Sequence, residues 1–254
     1  MRVDFGRTAS DYATHRAGFP EALFERLLRD GVVAPGQRLL DLGTGTGSLA
    51  RGFARRGLQV TGLDPALPLL EQARRLDHAA GVAVRYVAAR AESTGLAEMS
   101  FDVVSAGQCW HWFERARAAQ EVRRLLRAGG RVVIAHFDWL PLPGNVVEAT
   151  ERLIRQHNPG WALGGGTGLH PAWLADLAVA GFAGLETFSF DQAVGYSRAA
   201  WRGRIRASAG IAASLDAAAV ARFDAEHEAL LARDFPDEPL RVPHRCWVAI
   251  GVKP

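Results

Sequence analysis

Lysine is almost absent from this chain of 254 residues: Lys253 is the only one, so arginine supplies nearly all of the 30 basic side chains. The net charge is only +3, and the arginines alternate with aspartate and glutamate along most of the chain. That spacing argues against a one-signed basic face and, with it, a nucleic-acid partner. Cysteine is equally scarce. Cys109 and Cys246 lie far apart with no CxxC spacing, which excludes a disulfide framework and fits a reducing compartment. Both read as small buried residues rather than nucleophiles. No apolar run approaches the ~20 residues of a membrane-spanning helix, and residues 1–13 lack the apolar centre of a secretory signal. These absences predict a soluble cytoplasmic protein with no membrane, nucleic-acid or metal partner. They say nothing about oligomeric state.

Apolar residues make up 48% of the chain, enough for a full core, and they recur in a regular pattern. Residues 20–29 read as a helix with Pro20 at its first position and Gly31 as its stop. Strands are expected over 38–42, 58–63, 82–87, 101–106 and 131–137. Helices are expected between them over 48–56, 65–76 and 115–127, the last closed by Gly129-Gly130. Strands alternating with helices imply βαβ units and a parallel sheet covered on both faces. Right-handed crossovers then carry every strand-to-helix loop to the carboxyl edge, where a ligand is expected. Beyond residue 137 the pattern loosens. Residues 141–168 are rich in Pro and Gly, 171–180 read as a helix, 185–190 as a strand, 196–233 as mostly helical and 242–252 as a last strand. The long helical stretch is expected to cap the sheet edge.

Three signals fall at the ends of successive strands. The first is the loop Asp41-Leu42-Gly43-Thr44-Gly45-Thr46-Gly47, whose glycines permit a tight turn and close approach of a ligand to bare backbone. The second is Asp64 in Leu63-Asp64-Pro65, an acidic side chain placed to accept hydrogen bonds from both hydroxyls of a ribose. Gly45-x-Gly47-x-x-Ala50 also fits a dinucleotide loop, so an NAD(P)-dependent oxidoreductase would use both signals equally well. Against that stands the lack of a Tyr-x-x-x-Lys pair in a chain with a single lysine. The third signal is a later series: Arg90-Ala91-Glu92, then Phe101-Asp102-Val103-Val104 leading to Gln108-Cys109-Trp110-His111-Trp112-Phe113, then Leu125-Leu126-Arg127-Ala128-Gly129-Gly130.

Together, over residues 38–137, these motifs resemble those of class I S-adenosylmethionine-dependent methyltransferases. Asp11-Tyr12 with Arg16, Ala91-Glu92-x-Thr94-Gly95-Leu96 and Gln108-x-x-His111-Trp112-Phe113 resemble the type 11 group, near the trans-aconitate and cantharidin-type small-molecule enzymes. The resemblance implies a Rossmann-like doubly wound seven-stranded sheet, mostly parallel with one antiparallel strand, plus a helical cap. It implies one domain over 1–254: an N-terminal helical segment (1–37), a cofactor-binding core (38–137), its continuation (138–190), a cap insertion (191–241) and the last strand (242–254). The implied cofactor is S-adenosyl-L-methionine. Asp41, Gly43, Thr44, Gly45 and Gly47 would surround its methionine part, Asp64 and Pro65 its ribose, and Ala91 and Glu92 its adenine. Gln108 and His111 would lie near the sulfonium, and Tyr12 and Arg16 would close over the carboxylate. Many relatives have Asp where Arg90 stands, contacting the adenine amino group. An arginine cannot accept that bond, so Glu92 or a backbone carbonyl must.

For the acceptor, a small molecule, the sequence offers fewer handles. His111 is the general-base candidate at the cofactor edge, since imidazole titrates near neutrality; orienting substrate or capping the next helix is the alternative role. Trp112, His136 and Trp139 are placed to line a pocket. His227 falls on the apolar stripe of Val220, Phe223 and Leu230 and reads as a core histidine. The run Trp201-Arg202-Gly203-Arg204-Ile205-Arg206 bears on substrate charge, with Trp201 and Arg204 the candidates for the pocket. Arginines two apart on a helix cannot share a face, and one turned inward would favour an anionic acceptor. A protein that binds S-adenosylmethionine without transferring its methyl group would carry the same motifs.

Overall fold

The computed structural model describes residues 18–212 and 214–254. Helix α1 spans Glu21–Arg29 and buries Leu23, Phe24 and Leu27. Next come β1 (Arg38–Leu42), α2 (Ser48–Ala54), β2 (Gln59–Leu63), α3 (Leu67–Ala80), β3 (Arg85–Val87) and β4 (Phe101–Gly107). A 3-10 turn over Trp110–Trp112 leads to α4 (Arg115–Leu125) and β5 (Leu126–Trp139). The rest is α5 (Val146–His157), α6 (Ala172–Val179), β6 (Ala183–Tyr196), α7 (Arg198–Arg206), α8 (Ala217–Asp234) and β7 (Leu240–Val252). The seven strands form one sheet in the order β3-β2-β1-β4-β5-β7-β6. Strands β1 to β5 pair in parallel, and β7 is the antiparallel strand of a Rossmann-like sheet. Its end returns beside the start of β5 through mutual backbone bonds of Lys253 with Gly129 and Gly130, each 2.8 Å.

The sheet order places β1 at the switch point, between β2 and β4, where crossovers leave in opposite directions. Register pairs Leu42 with Leu63 on one side and Leu42 with Ala106 on the other. The loops after β1, β2 and β4 therefore leave the sheet at one level. Four of the five residues of β1 are buried, as a central strand covered on both faces requires.

The chain divides into two compact units. The sheet unit holds residues 18–137, 170–190 and 246–254. Its core gathers Leu40, Leu42, Val104, Trp110, Val122, Ile134, Trp173 and Trp247. The helical unit holds residues 138–169 and 191–245, with a core of Val147, Ile154, Trp201, Ile205, Phe223, Leu231 and Val242. No helix among the described residues is long and apolar enough to cross a membrane.

Several boundaries differ from the sequence reading. Helix α3 starts at Leu67 rather than 65 because the Asp64 side chain captures the Ala66 amide at 2.9 Å, a turn that competes with helix. It runs on to Gly81, which takes the left-handed conformation at φ 66°. Gly129-Gly130 does not close a helix; α4 ends at Leu125 and the glycines lie within β5. Helix α5 has no counterpart in the expected elements. Its start is marked by Asn145, whose side chain accepts the Glu148 amide at 2.9 Å, while Glu148 accepts from Gly144 at 2.7 Å. That reciprocal cap was masked by the surrounding prolines and glycines.

His227 is fully buried in the helical unit, as its stripe position predicts. Thr150 Oγ1 donates to Val146 O at 2.7 Å and accepts from Trp201 Nε1 at 3.1 Å. With the hydroxyl proton committed, His227 Nε2, 3.2 Å away, carries the proton of the neutral ring. Burial pushes the His227 pKa down to about 4, so the unfolded chain binds a proton that the folded one refuses. Stability is lost as pH falls through the ordinary histidine range toward 4, by about 3 kcal/mol from this group alone. Urea unfolding at a series of pH values should show a shallower acid loss for His227→Leu than for the wild type; parallel curves would remove His227 from the acid response.

Candidate functional site

The carboxyl end of β1 delivers Asp41 into the interior, 1% exposed. An isolated carboxylate would be costly there, and two hydroxyls solvate it: Thr44 Oγ1 and Ser105 Oγ each donate at 2.7 Å. Burial outweighs them and raises its pKa to about 6. The chain then turns through Gly43, Gly45 and Gly47, all at positive φ. Two of these cannot bear a side chain for lack of room. A Cβ on Gly43 would meet Cys109 Sγ at 2.8 Å, and one on Gly47 would meet Tyr86 Oη at 2.5 Å. Gly45 differs: its φ is 55°, yet nothing lies within 4 Å of where a Cβ would stand. The bare backbone of Gly45 faces open space, as a cradle for a ligand tail requires.

Asp64, 8% exposed, lies directly across from that turn. Its Oδ2 accepts the Gly45 amide at 3.0 Å and its Oδ1 the Ala66 amide at 2.9 Å. A carboxylate has about four lone-pair sites, so lone pairs remain for hydroxyl groups of a ligand. Burial raises its pKa, and Pro65 beside it is exposed. The glycine loop and the second acidic residue thus share one crevice.

Behind the loop lies a polar brace that the sequence reading did not single out. Arg51 on α2 reaches Thr46 O at 2.8 Å and Asp77 of α3 at 2.8 Å, and Tyr86 of β3 donates to Asp77 at 2.6 Å. The Tyr86 ring occupies the space a Cβ on Gly62 would need. The spacing of these residues in sequence carries no signal, because three separate elements contribute.

After β3, Ala91 is buried and Glu92 half-buried. Glu92 Oε1 accepts the Glu114 amide at the start of α4 at 3.0 Å, and its Oε2 lies 3.5 Å from Arg90. Gln108 adopts φ 62°. Its side chain donates to Phe137 O on β5, and its amide donates to Ala135 O at 2.9 Å. The turn Trp110–Trp112 then splits its aromatics. Trp110 is fully buried with Nε1 on Asp176 at 3.1 Å, while His111 and Trp112 are exposed.

His111 has companions. His136, buried on β5, has its ring centroid 5.4 Å from that of His111. His170, just before α6, lies 4.5 Å from His136 and stacks on Trp173 at 4.0 Å with planes 3° apart. His170 and Trp173 escaped the sequence reading because they lie 34 or more positions beyond His136, inside a segment with no strand signal. Trp139, Trp201 and Arg204 come together within the helical unit: Arg204 Cζ is 4.8 Å from the Trp139 ring, and Trp139 packs on Trp201 at 5.5 Å. Tyr12 and Arg16 lie outside the described residues.

Residues 40–134 match a family model described as a methyltransferase domain. The chain is 37% identical over 132 residues to an uncharacterized methyltransferase of Mycobacterium tuberculosis, covering 52% of this chain and 51% of that protein. It spans about half the length of the curated relatives it matches. Among solved structures, one assigned as a type II methyltransferase from Anaeromyxobacter dehalogenans shares 26% identity and a TM-score of 0.61, over 93% of this chain and 97% of that one. The phosphoethanolamine N-methyltransferase 2 of Haemonchus contortus, held with phosphomonomethylethanolamine and S-adenosylhomocysteine, shares the fold at 21% identity and TM-score 0.59, over all of this chain and 61% of that one. Residues 40–134 thus make up a methyltransferase domain of the kind that uses S-adenosylmethionine.

Proposed function

We propose that the whole chain acts as one methyltransferase on a small-molecule acceptor, by in-line displacement at an oxygen or nitrogen rather than at carbon. The observation that carries this reading is the convergence of the open Gly45 backbone and the Asp64 carboxylate at one crevice, joined by a 3.0 Å hydrogen bond. When bound, S-adenosylmethionine supplies a methyl group on a sulfonium. Asp64 and Pro65 take the ribose. The Gly43 to Gly47 backbone, with Thr44 and the Asp41 carboxylate behind it, takes the methionine tail. Ala91 walls the adenine. Glu92 is already engaged by the Glu114 amide, so a backbone carbonyl is the better acceptor for the adenine amino group.

The reacting end belongs to Gln108, His111, Trp112 and His136. Holding acceptor and methyl donor in line is worth about 7 to 11 kcal/mol in well-oriented systems. The sulfonium charge disappears on transfer, so an aromatic wall that keeps water away favours the transition state over the ground state. An O–H or N–H acceptor must also lose a proton, and His111, exposed at the mouth and backed by His136, is the group placed to take it.

Calorimetric titration with S-adenosylmethionine, S-adenosylhomocysteine and NAD tests the reading, which requires heat with the first two and none with the third. Asp64→Ala should weaken S-adenosylhomocysteine binding at least about tenfold, the loss of roughly one charged hydrogen bond; an unchanged dissociation constant would remove Asp64 from the ribose site. His111→Ala should lower kcat while cofactor affinity stays within about twofold. Turnover at the wild-type rate would mean that His111 only lines the pocket. Asp41 makes a different demand. Its folded pKa is raised above the ordinary carboxylate value, so its contribution is complete at low pH and is lost as pH rises toward about 6. Asp41→Asn, which keeps partners for Thr44 and Ser105, should therefore stabilise the free protein near neutral pH by up to about 3 kcal/mol. A variant less stable than the wild type at that pH would show that the hydroxyls fully offset the burial.

A further inference from the structure

Helix α7 carries three arginines at alternate positions, Arg202, Arg204 and Arg206, and the structure separates them. Arg202 and Arg206 both reach Asp224 of α8, at 2.6 and 2.8 Å, and Arg202 also meets Glu228 at 2.7 Å. Arg204 points away from that acidic face. It is partly buried, and no carboxylate of the described residues comes within ion-pair distance of it. Its guanidinium instead lies over Trp139, 4.8 Å from the ring centroid, with Tyr196 among the groups that raise its pKa against the effect of burial. The field of Asp138 also raises it.

The surroundings of Arg204 are aromatic and already satisfied. Trp139 Nε1 donates to Glu151 at 2.8 Å, and the other Glu151 oxygen takes the Gly165 amide at 2.6 Å. Trp201 gives its Nε1 proton to Thr150. Trp201 packs edge-on against both Trp139 and Tyr196, with centroids 5.5 and 5.3 Å away. Glu151, the one buried carboxylate of this cluster among the described residues, is thus spent on Trp139 and Gly165. A guanidinium half-removed from water with no ion-pair partner among the described residues is costly, and burial depresses its pKa. A cation–π contact offsets only part of that.

We infer that Arg204, with Trp139 and Tyr196, is a carboxylate-binding site of the helical unit, taking an organic acid whose apolar or aromatic body rests on the indole. Guanidinium forms a two-pronged bond to carboxylate, and the flanking rings select an organic anion over a hydrated inorganic one. That this carboxylate belongs to the methyl acceptor rests on the function proposed above. The anion site itself does not.

The test is calorimetry on the full chain without cofactor, using benzoate, benzamide and inorganic phosphate as probes. Benzoate should bind the wild type, benzamide at least about tenfold more weakly, and Arg204→Met should weaken benzoate at least about tenfold. Arg204→Lys, which keeps charge but not the fork, should fall between the two. Because no carboxylate of the described residues pairs with Arg204 in the free site, Arg204→Met should melt at or above the wild-type temperature without ligand, and benzoate should raise Tm only in the wild type. No heat with benzoate, equal binding of benzoate and benzamide, preference for phosphate, or a lower Tm for Arg204→Met would each overturn the assignment. Benzoate binding without any S-adenosylmethionine binding would sink the methyl-transfer reading and leave this one standing.

Discussion

The bond from the Gly45 amide to the Asp64 carboxylate holds the ends of β1 and β2 against each other, and the rest of the site follows from it. The parallel register that pairs Leu42 with Leu63 brings the two loops level, but level loops need not touch. The contact requires the left-handed turn at Gly45, since only there does the amide point across the crevice. It also requires that nothing fill the space above Gly45. The loop cannot drift, because Gly43 is closed in by Cys109 and Gly47 by Tyr86. Arg51, Asp77 and Tyr86 then tie the loop to α2, α3 and β3. A loop whose backbone must meet a ligand gains precision from such support more than from its own sequence.

The parts of this arrangement that were legible in the sequence are those encoded over short distances. Strand β1 was read with its observed ends, 38 and 42, because its four apolar-flanked positions stop abruptly at glycines. Asp64 was legible because its strand ends at it. The alternation of strands and helices indicated the sheet, and His227 could be assigned to a core from its stripe alone. Helix α5 was not legible, because periodicity over Pro141–Gly168 is diluted by flanking turns although Asn145 and Glu148 do carry a cap signature. The brace behind the glycine loop and the stacking of His170 on Trp173 were not legible either. Those contacts join elements far apart in the chain, and no local pattern records them. The opposite fates of Arg202 and Arg204 depend on which way a helix face turns, which the helical period constrains but does not decide.

Asp41 and His227 show how the two units manage buried titratable groups in opposite ways. His227 sits among apolar side chains with one hydroxyl partner, and neutrality costs it nothing at neutral pH. Asp41 sits at the end of the central strand with two hydroxyl donors, and above about pH 6 it is a buried anion. An uncharged residue of the same shape would serve the fold as well or better. What a charged residue adds is a fixed negative field beneath the part of the glycine turn left open, at Gly45.

That field bears on how a cationic cofactor would be told from a dinucleotide. The loop motif alone serves either ligand, and a helix N-terminus favours anionic phosphate. A buried carboxylate beneath the same turn opposes phosphate and favours an ammonium or sulfonium. Asp64 adds a second negative charge close enough to raise the pKa of Asp41. Two carboxylates around one glycine turn, each penalised by burial, make a site whose free state is strained electrostatically and relaxed by a cation. Charge placement around Gly45 therefore argues for a sulfonium nucleoside over a pyrophosphate, and the glycines contribute only the room.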